Sequence, residues 1–288
     1  MKILVIGNGF LGKSIIQRLI SEGHELLVYS RATNERVQCQ QIAGDILDFE
    51  DFIKVLLWKP RIIIHTAWIT SENYRNDLSN FKYARFTTDL AGYIACSDVE
   101  HLIILGSCAE YGHQVGPSTA GFTKLSPASL YAEQKVIAFN SVRELLKRSD
   151  VRFTWARIFY PYGPTQDQKR LVPHLINCLR NGEPVVLADT SSILDWITTR
   201  DVASAISWVI DNELPIEIDI GTSLGFTNLE LLITLEDLLQ IPTKLYEHGP
   251  HYFGLNDVFV AGANSPLLKS GWLPADTIST GLEWVLSS

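Results

Sequence analysis

Two groups of residues in this 288-residue chain combine types and spacings suited to chemistry. The stretch GNGFLGKS satisfies G-x-G-x-x-G through Gly7, Gly9 and Gly12. Glycines so spaced permit a tight strand-to-helix turn and let the backbone approach a pyrophosphate at a helix N-terminus. The same letters satisfy the P-loop pattern ending in Gly12-Lys13-Ser14, whose lysine holds the β and γ phosphates. A P-loop also needs an apolar strand ending in Asp to help hold magnesium. The early strands end in Tyr29-Ser30 and His65-Thr66, so the dinucleotide reading is favoured. The second group is Tyr131 and Lys135, a phenol and an ammonium four residues apart, hence on one face of a helix. With ten tyrosines in the chain that spacing arises readily by coincidence. Position raises it: the pair follows the fourth apolar strand, and Ser107 stands just past that strand's end, where open α/β sheets place their ligand crevice.

The end of the second strand bears on cofactor choice. An NAD site usually presents Asp or Glu roughly 20 residues past the glycines, to bond the ribose 2′-hydroxyl. Ser30 and Arg31 stand there instead. A hydroxyl and a guanidinium bind a 2′-phosphate that a carboxylate would repel, so NADP is the expected cofactor and NAD the alternative.

These residues need a scaffold, and the hydrophobic pattern supplies one. Short apolar runs at Lys2–Ile6, Glu25–Tyr29, Ile62–His65, Leu102–Leu105 and Arg152–Arg157 alternate with helical patterns, the rhythm of a parallel sheet covered on both faces. KSIIQRLISEG carries Ile15, Ile16, Leu19 and Ile20 at helical spacing, with Gly23 placed to end it. Past about Gly163 the rhythm loosens, although Asp201–Ile210 reads as a helix, IEIDIG as a strand, and Thr227-x-x-Glu230 as a capping box opening another helix. The expectation is a doubly wound (Rossmann) α/β sheet over residues 1–163. A smaller substrate-binding region, 164–288, follows, of which about 195–222 returns to the first domain.

Composition narrows the classes. Lys plus Arg number 24 and Asp plus Glu 32, a net charge of −8 that disfavours a broad nucleic-acid or anionic-membrane surface. Apolar residues at 46% and charged residues at 19% argue against disorder or a coiled coil. Cys39, Cys96, Cys108 and Cys178 are scattered without a C-x-x-C or Cys/His cluster, which predicts neither structural zinc nor a disulfide framework. No run approaches the ~20 apolar residues of a membrane span. A reduced, soluble, cytoplasmic protein without a metal is expected.

Taken together, the blocks resemble the extended short-chain dehydrogenase/reductases, the family of NAD(P)-dependent nucleotide-sugar epimerases, dehydratases and reductases. The likeness runs in order through GNGFLG, GDILD, IIHTAW, LGSCAEYG, SLYAEQK, ARIFYPYGP, RLVPHLI, LDWITTRDVASAI and IEIDIGTS. It implies cofactor contacts along Gly7, Asn8, Gly9, Phe10, Leu11 and Gly12, at Ser30 and Arg31, at Asp45 and Ile46 on the adenine side, and at Ala67, Tyr131, Lys135 and Tyr160. It also implies roles. Lys135 would bind the nicotinamide ribose and lower the phenol's pKa by its charge; Tyr131 would give a proton to a carbonyl as hydride arrives; Ser107 would hydrogen-bond the same oxygen.

Departures from the family pattern narrow the chemistry. The 4,6-dehydratases carry Asp-Glu directly after the catalytic Ser/Thr, where this chain has Cys108-Ala109. Enzymes such as GDP-fucose synthase, which epimerise before reducing, use a Cys two residues after the Ser and a His before the Val-Ile-Pro stretch. Those places hold Ala109 and Arg170. Cys108 is one position off, and on extended backbone it would face the other way. The family's Asn before Tyr-Gly-Pro is replaced by Tyr160-Pro161, and its Arg before Asp-Trp by Leu194. Substrate contacts are therefore expected at Ser107 and Cys108, with Lys169, Arg170 and Arg200 as candidates to face a diphosphate. The sequence points to an NADPH-dependent reductase of a 4-keto-6-deoxy nucleotide sugar. An NAD-dependent nucleotide-hexose 4-epimerase is the alternative, and a non-catalytic NADP-binding redox sensor is the alternative of another class. A homodimer is expected by analogy.

Overall fold

KILVI is apolar at successive positions, so as a strand it presents oily side chains to both faces and belongs inside a sheet covered on both sides. It forms β1 (Lys2–Ile6) in that setting. Ile3 and Val5 enter one apolar cluster, and Leu4 and Ile6 enter the cluster on the opposite face. The computed structural model describes all residues except 35–36, 71, 188, 242–245 and 249–256.

From β1 the chain runs through α1 (Phe10–Ser21) to β2 (Glu25–Ser30) and β3 (Gln40–Ala43). It returns by the short α2 (Phe49–Phe52) to β4 (Ile62–His65), α3 (Asn80–Ile94), β5 (His101–Ser107), α4 (Leu130–Leu146) and β6 (Arg152–Ile158). There follow β7 (Tyr160–Tyr162), α5 (Leu171–Asn181), β8 (Val185–Leu187), β9 (Ile193–Leu194), β10 (Trp196–Thr198), α6 (Thr199–Asp211) and β11 (Glu217–Ile220). Seven strands make one parallel sheet in the order β11-β6-β5-β4-β1-β2-β3. The winding direction reverses between β1 and β4, which opens a crevice beyond their C-terminal ends. Gly7 follows β1 there and Thr66 follows β4.

Helices cover both faces. Ile15, Ile16 and Leu19 of α1 and Val202, Ile206 and Val209 of α6 bury against one side. Leu90 of α3 and Ala138, Phe139 and Val142 of α4 bury against the other, with Phe52 and Phe86. Beyond the sheet, Tyr162, Val172, Leu175, Leu194 and Trp196 form a third cluster with Leu231, Leu235 and Leu282. The helix Asn228–Leu239 opens on the predicted capping box: Thr227 accepts from the Glu230 amide at 3.1 Å and Glu230 accepts from the Thr227 amide at 2.7 Å. Such a cap contributes about 1 kcal/mol.

All the expected strands form, β5 and β6 extending slightly past their apolar stretches. The main sheet gains one strand the sequence did not announce, β3, whose QQIA lies at the sheet edge with mostly exposed side chains and so shows no apolar run.

Candidate active site

The glycine loop is shaped by close approach. Gly7 sits at φ +103°, and a Cβ there would lie 2.6 Å from Thr66 Oγ1 and 2.9 Å from the Ala67 amide. Thr66 in turn donates to the carbonyls of Ile6 and Gly7 at 3.0 and 3.1 Å, holding the ends of β1 and β4 together. Gly9 is the N-cap of α1 with no side chain to satisfy the first amides, and no acidic residue occupies the first turn. The buried Oδ1 of Asn8 has no partner in the structure. Uncapped amides at a positive helix end, a bare glycine and an orphaned polar atom fit a pyrophosphate. Phe10 and Leu11 are half-buried on the first turn.

At the end of β2, Ser30 donates to the Ala32 carbonyl at 2.8 Å, and Arg31 is exposed. Arg31 is close enough to Tyr83 to favour its phenolate, while burial and Asp45 push the other way. Arg31, Tyr83 and Asp45 thus share one neighbourhood. Asp45 accepts from the Leu47 amide at 3.0 Å, its carbonyl accepts from the Tyr29 hydroxyl at 3.2 Å, and Ile46 is buried beside it. The Ala67 amide donates to the Ile6 carbonyl.

Ser107, Tyr131 and Lys135 come together at the end of β5. Ser129 caps α4 at the Ala132 amide, which starts the helix so that Tyr131 and Lys135 share a face. Lys135 is 3% exposed; its ammonium donates to the Leu105 carbonyl at 2.6 Å and lies 4.1 Å from the Trp68 ring centre and 5.5 Å from that of Tyr131. Burial lowers its pKa to about 8, opposed by the charge of Glu110. The Tyr131 phenol is raised well above its usual range by burial and by Tyr74, and the nearby Ser107 side chain pulls it back. Burial is the largest influence on the phenol, and it acts against the lowering expected of the Lys135 charge. His65 at the end of β4 is held neutral, at about 3, by burial and by the Lys135 charge.

Cys108 departs from its expected setting. It begins a 3-10 turn, Cys108–Tyr111, rather than continuing extended backbone, so the alternation argument does not apply. The side chain is buried, and desolvation with the carboxylates of Asp195 and Glu110 pushes the thiol well above its ordinary value. A thiol so placed cannot ionise to serve as a base. Tyr160 packs against Trp196 and Phe259 at 5.6 and 5.9 Å.

The basic candidates separate. Arg170 lines a cavity of about 460 Å³ with Glu72, Asn73, Tyr74, Arg75 and Asn76. Its guanidinium bonds the Thr70 carbonyl at 3.1 Å and lies 5.3 Å from the Tyr74 ring centre. Lys169 is exposed and paired with Glu72 at 2.8 Å. Arg200 is turned to another neighbourhood, paired with Asp276 and lying 4.6 Å from the Trp284 ring centre. Sequence reasoning missed Tyr74 and Arg75. The Tyr74 ring meets that of Tyr131 edge-on at 4.9 Å, and the Arg75 charge reaches Tyr160 and Cys108. Their position after β4, at the crevice end of the sheet, was the available signal. Among the described residues no group of three potential metal ligands stands together, and no helix is long and apolar enough to cross a membrane.

A model of the NAD dependent epimerase/dehydratase family matches residues 3–221. The chain belongs to that family. The epimerase/dehydratase fold recurs in solved structures along the whole chain. The UDP-glucose 4-epimerase of Thermotoga maritima, crystallised with UDP-glucose, superposes with a TM-score of 0.88 at 21% identity, covering 100% of this chain and 98% of that one. The dTDP-glucose 4,6-dehydratase of Bacillus anthracis, in complex with NAD, gives 0.87 at 22% identity, covering 100% and 96%. Among curated relatives, the CDP-abequose synthase of Salmonella typhimurium is 28% identical over 144 residues, a match that spans about half of each chain at 48%. The UDP-glucose 4-epimerase of Streptococcus mutans is 24% identical over 318 aligned positions, 95% of this chain and 92% of that protein.

Proposed function

We propose that this family member reduces a 4-keto-6-deoxy nucleotide sugar with NADPH. The observation that carries the reading is a Ser107–Tyr131–Lys135 set, Lys135 buried and the other two half-buried, with no free acid–base group at positions 108–110 beside it. Position 108 is a buried, un-ionised thiol, position 109 is alanine, and both oxygens of Glu110 are bonded to Ser107, Trp155 and Arg157. Dehydration and ring epimerisation need a base at that place, whereas ketone reduction needs a hydride, a proton and a donor for the developing oxyanion.

Gly7 to Gly12 would hold the pyrophosphate, Ser30 and Arg31 the 2′-phosphate, Asp45 and Ile46 the adenine side, and Ala67, Tyr160 and Lys135 the nicotinamide half. When bound there, NADPH supplies the hydride. Tyr131 gives its phenolic proton to the substrate oxygen; burial keeps the phenol protonated until then, and the charge that develops on the substrate oxygen as hydride arrives draws the proton across. Ser107 donates to the same oxygen. Lys135 keeps a positive charge beside the phenolate left behind. Arg170, with Tyr74 and Arg75 beside it, faces the substrate side through the cavity they line. Residues 1–163 form the dinucleotide-binding part and 164–288 the substrate-binding part, with about 195–222 returned to the sheet. The enzyme works in the cytoplasm as a homodimer.

A nucleotide-hexose 4-epimerase is the second reading, favoured by the nearly full-length match to a UDP-glucose 4-epimerase. Purified protein is mixed with NADPH and a panel of 4-keto-6-deoxy nucleotide sugars, and absorbance at about 340 nm is followed. Consumption of NADPH only when a keto-sugar is present is the expected result. Copurified NAD and interconversion of nucleotide hexoses without net NADPH consumption would decide for the epimerase.

A further inference from the structure

Glu110 and Arg157 are both fully buried, bonded to each other at 2.7 Å directly behind the Ser107 turn. A buried ion pair is a poor device for stability, because desolvating two charges offsets most of their attraction, so its placement asks for another account. The Glu110 Oε1 accepts the Ser107 backbone N–H at 2.8 Å, while Ser107 Oγ accepts from Ala109 at 3.2 Å, a reciprocal cap that fixes the serine's rotamer. Trp155 Nε1 donates to both carboxylate oxygens at 3.1 and 3.0 Å. Gly106 makes room: a Cβ there would lie 2.8 Å from Glu110 Oε1 and 2.3 Å from Trp155 Nε1. Arg157, between the rings of Tyr111 and Phe139 at 5.2 and 5.1 Å, is held on its other side by Glu217 at 2.7 Å.

We propose that Glu110 is a positioning residue for the Ser107–Tyr131–Lys135 set. Clamped by Arg157, it fixes the Ser107 turn and supplies the negative charge opposite the buried Lys135 ammonium. Among the described residues the groups facing Lys135 are few. His65 from β4 is neutral, Tyr131 stands on the same helix, the Leu105 carbonyl comes from β5, and the rings of Trp68 and Trp155 are uncharged. Glu110 and Lys135 meet at Trp155, whose Nε1–H is bonded to both carboxylate oxygens while the Lys135 ammonium lies 5.8 Å from its ring centre, and the Glu110 charge favours the ammonium. Around Glu110 itself stand Arg157, Tyr111, Asp219 and Cys108.

The inference rests on the cofactor placement proposed above, with Lys135 on the nicotinamide half, but not on the identity of the sugar. Its test therefore needs no sugar substrate. NADPH affinity is titrated by cofactor fluorescence from about pH 6.5 to about pH 10 in wild type, Glu110→Gln, the double variant Glu110→Gln/Arg157→Gln and Glu217→Gln. Wild-type affinity falls as Lys135 deprotonates, with a midpoint near its pKa of about 8. Removing Glu110 moves that midpoint down by about one unit, so that affinity at pH 8 drops about fivefold while affinity well below the midpoint changes little. The double variant removes both members of the buried pair together and shows the same displacement, which covers the case in which the single variant does not fold. Glu217→Gln loosens Arg157 from its other side and leaves the midpoint in place. A midpoint unmoved in the double variant, an equal displacement in Glu217→Gln, or a wild-type curve flat with pH would each overturn the proposal.

Discussion

Replacing Lys135 with Met should stabilise the fold while disabling the site. The ammonium is buried, and its pKa of about 8 lies well below the ordinary 10.5, because burial penalises the charged form. That depression corresponds to about 3 kcal/mol held against the folded state near neutrality. Methionine fits among the surrounding Trp68, Tyr131 and Trp155 rings but leaves the Leu105 carbonyl unpaired, which costs about 1–2 kcal/mol. The net gain is about 1–2 kcal/mol at pH 7, or roughly 2–6 °C in Tm for a chain of this size. The sign with pH follows from proton counting. Between about pH 8 and 10.5 the unfolded chain binds more protons at Lys135 than the folded one, so wild-type stability rises with pH across that window. Methionine lacks that rise, and its advantage should shrink by about 2 kcal/mol between pH 7 and 9.5. Urea unfolding of both proteins at the two pH values reads the difference directly. A variant less stable than wild type at pH 7, or a gap that stays constant with pH, refutes the reasoning.

Cofactor choice should follow Arg31: in Arg31→Ala, NADPH binding weakens about 10- to 100-fold while NADH binding stays level, as isothermal titration would show. Acid sensitivity should follow two buried histidines. His65 and His101, each at about 3, give stability that is complete above pH 6.5 and lost as pH falls; each loses about 2 kcal/mol between pH 7 and 5. His101→Gln should roughly halve that combined loss in urea titrations. The two arginines should divide. Arg170→Ala raises KM for the nucleotide sugar several-fold, because it lines the cavity, while Arg200→Ala lowers Tm without raising KM, because its partners are Asp276 and Trp284.

The sheet was legible because its strands are buried on both faces and so read as apolar runs, as KILVI and IIIH do. Its polar parts were not. The edge strand QQIA buries almost nothing, and His101, Gly106 and Ser107 at the ends of β5 carry no apolar signal although they pair along β6. The glycine loop was readable from residue type at fixed local spacing, whereas Ser107, Tyr131 and Lys135 were read from their place after the fourth strand and from the family resemblance. Glu110 and Arg157 were not read as a pair, since 47 positions separate them and only the parallel pairing of β5 with β6 brings them together. The setting of Cys108 was misjudged for a related reason. A capping box through Ser107 and Glu110 bends the chain into a 3-10 turn where continued strand was assumed.

The central claim is that the Tyr131 phenol delivers the proton to a ketone as it is reduced, and Tyr131→Phe tests it with the loss of one oxygen atom. With a 4-keto-6-deoxy nucleotide sugar that wild type reduces, the variant should bind NADPH within about twofold of wild type yet turn over at least about 100-fold more slowly. Wild-type turnover in that variant, with its fold and cofactor affinity intact, would contradict the account.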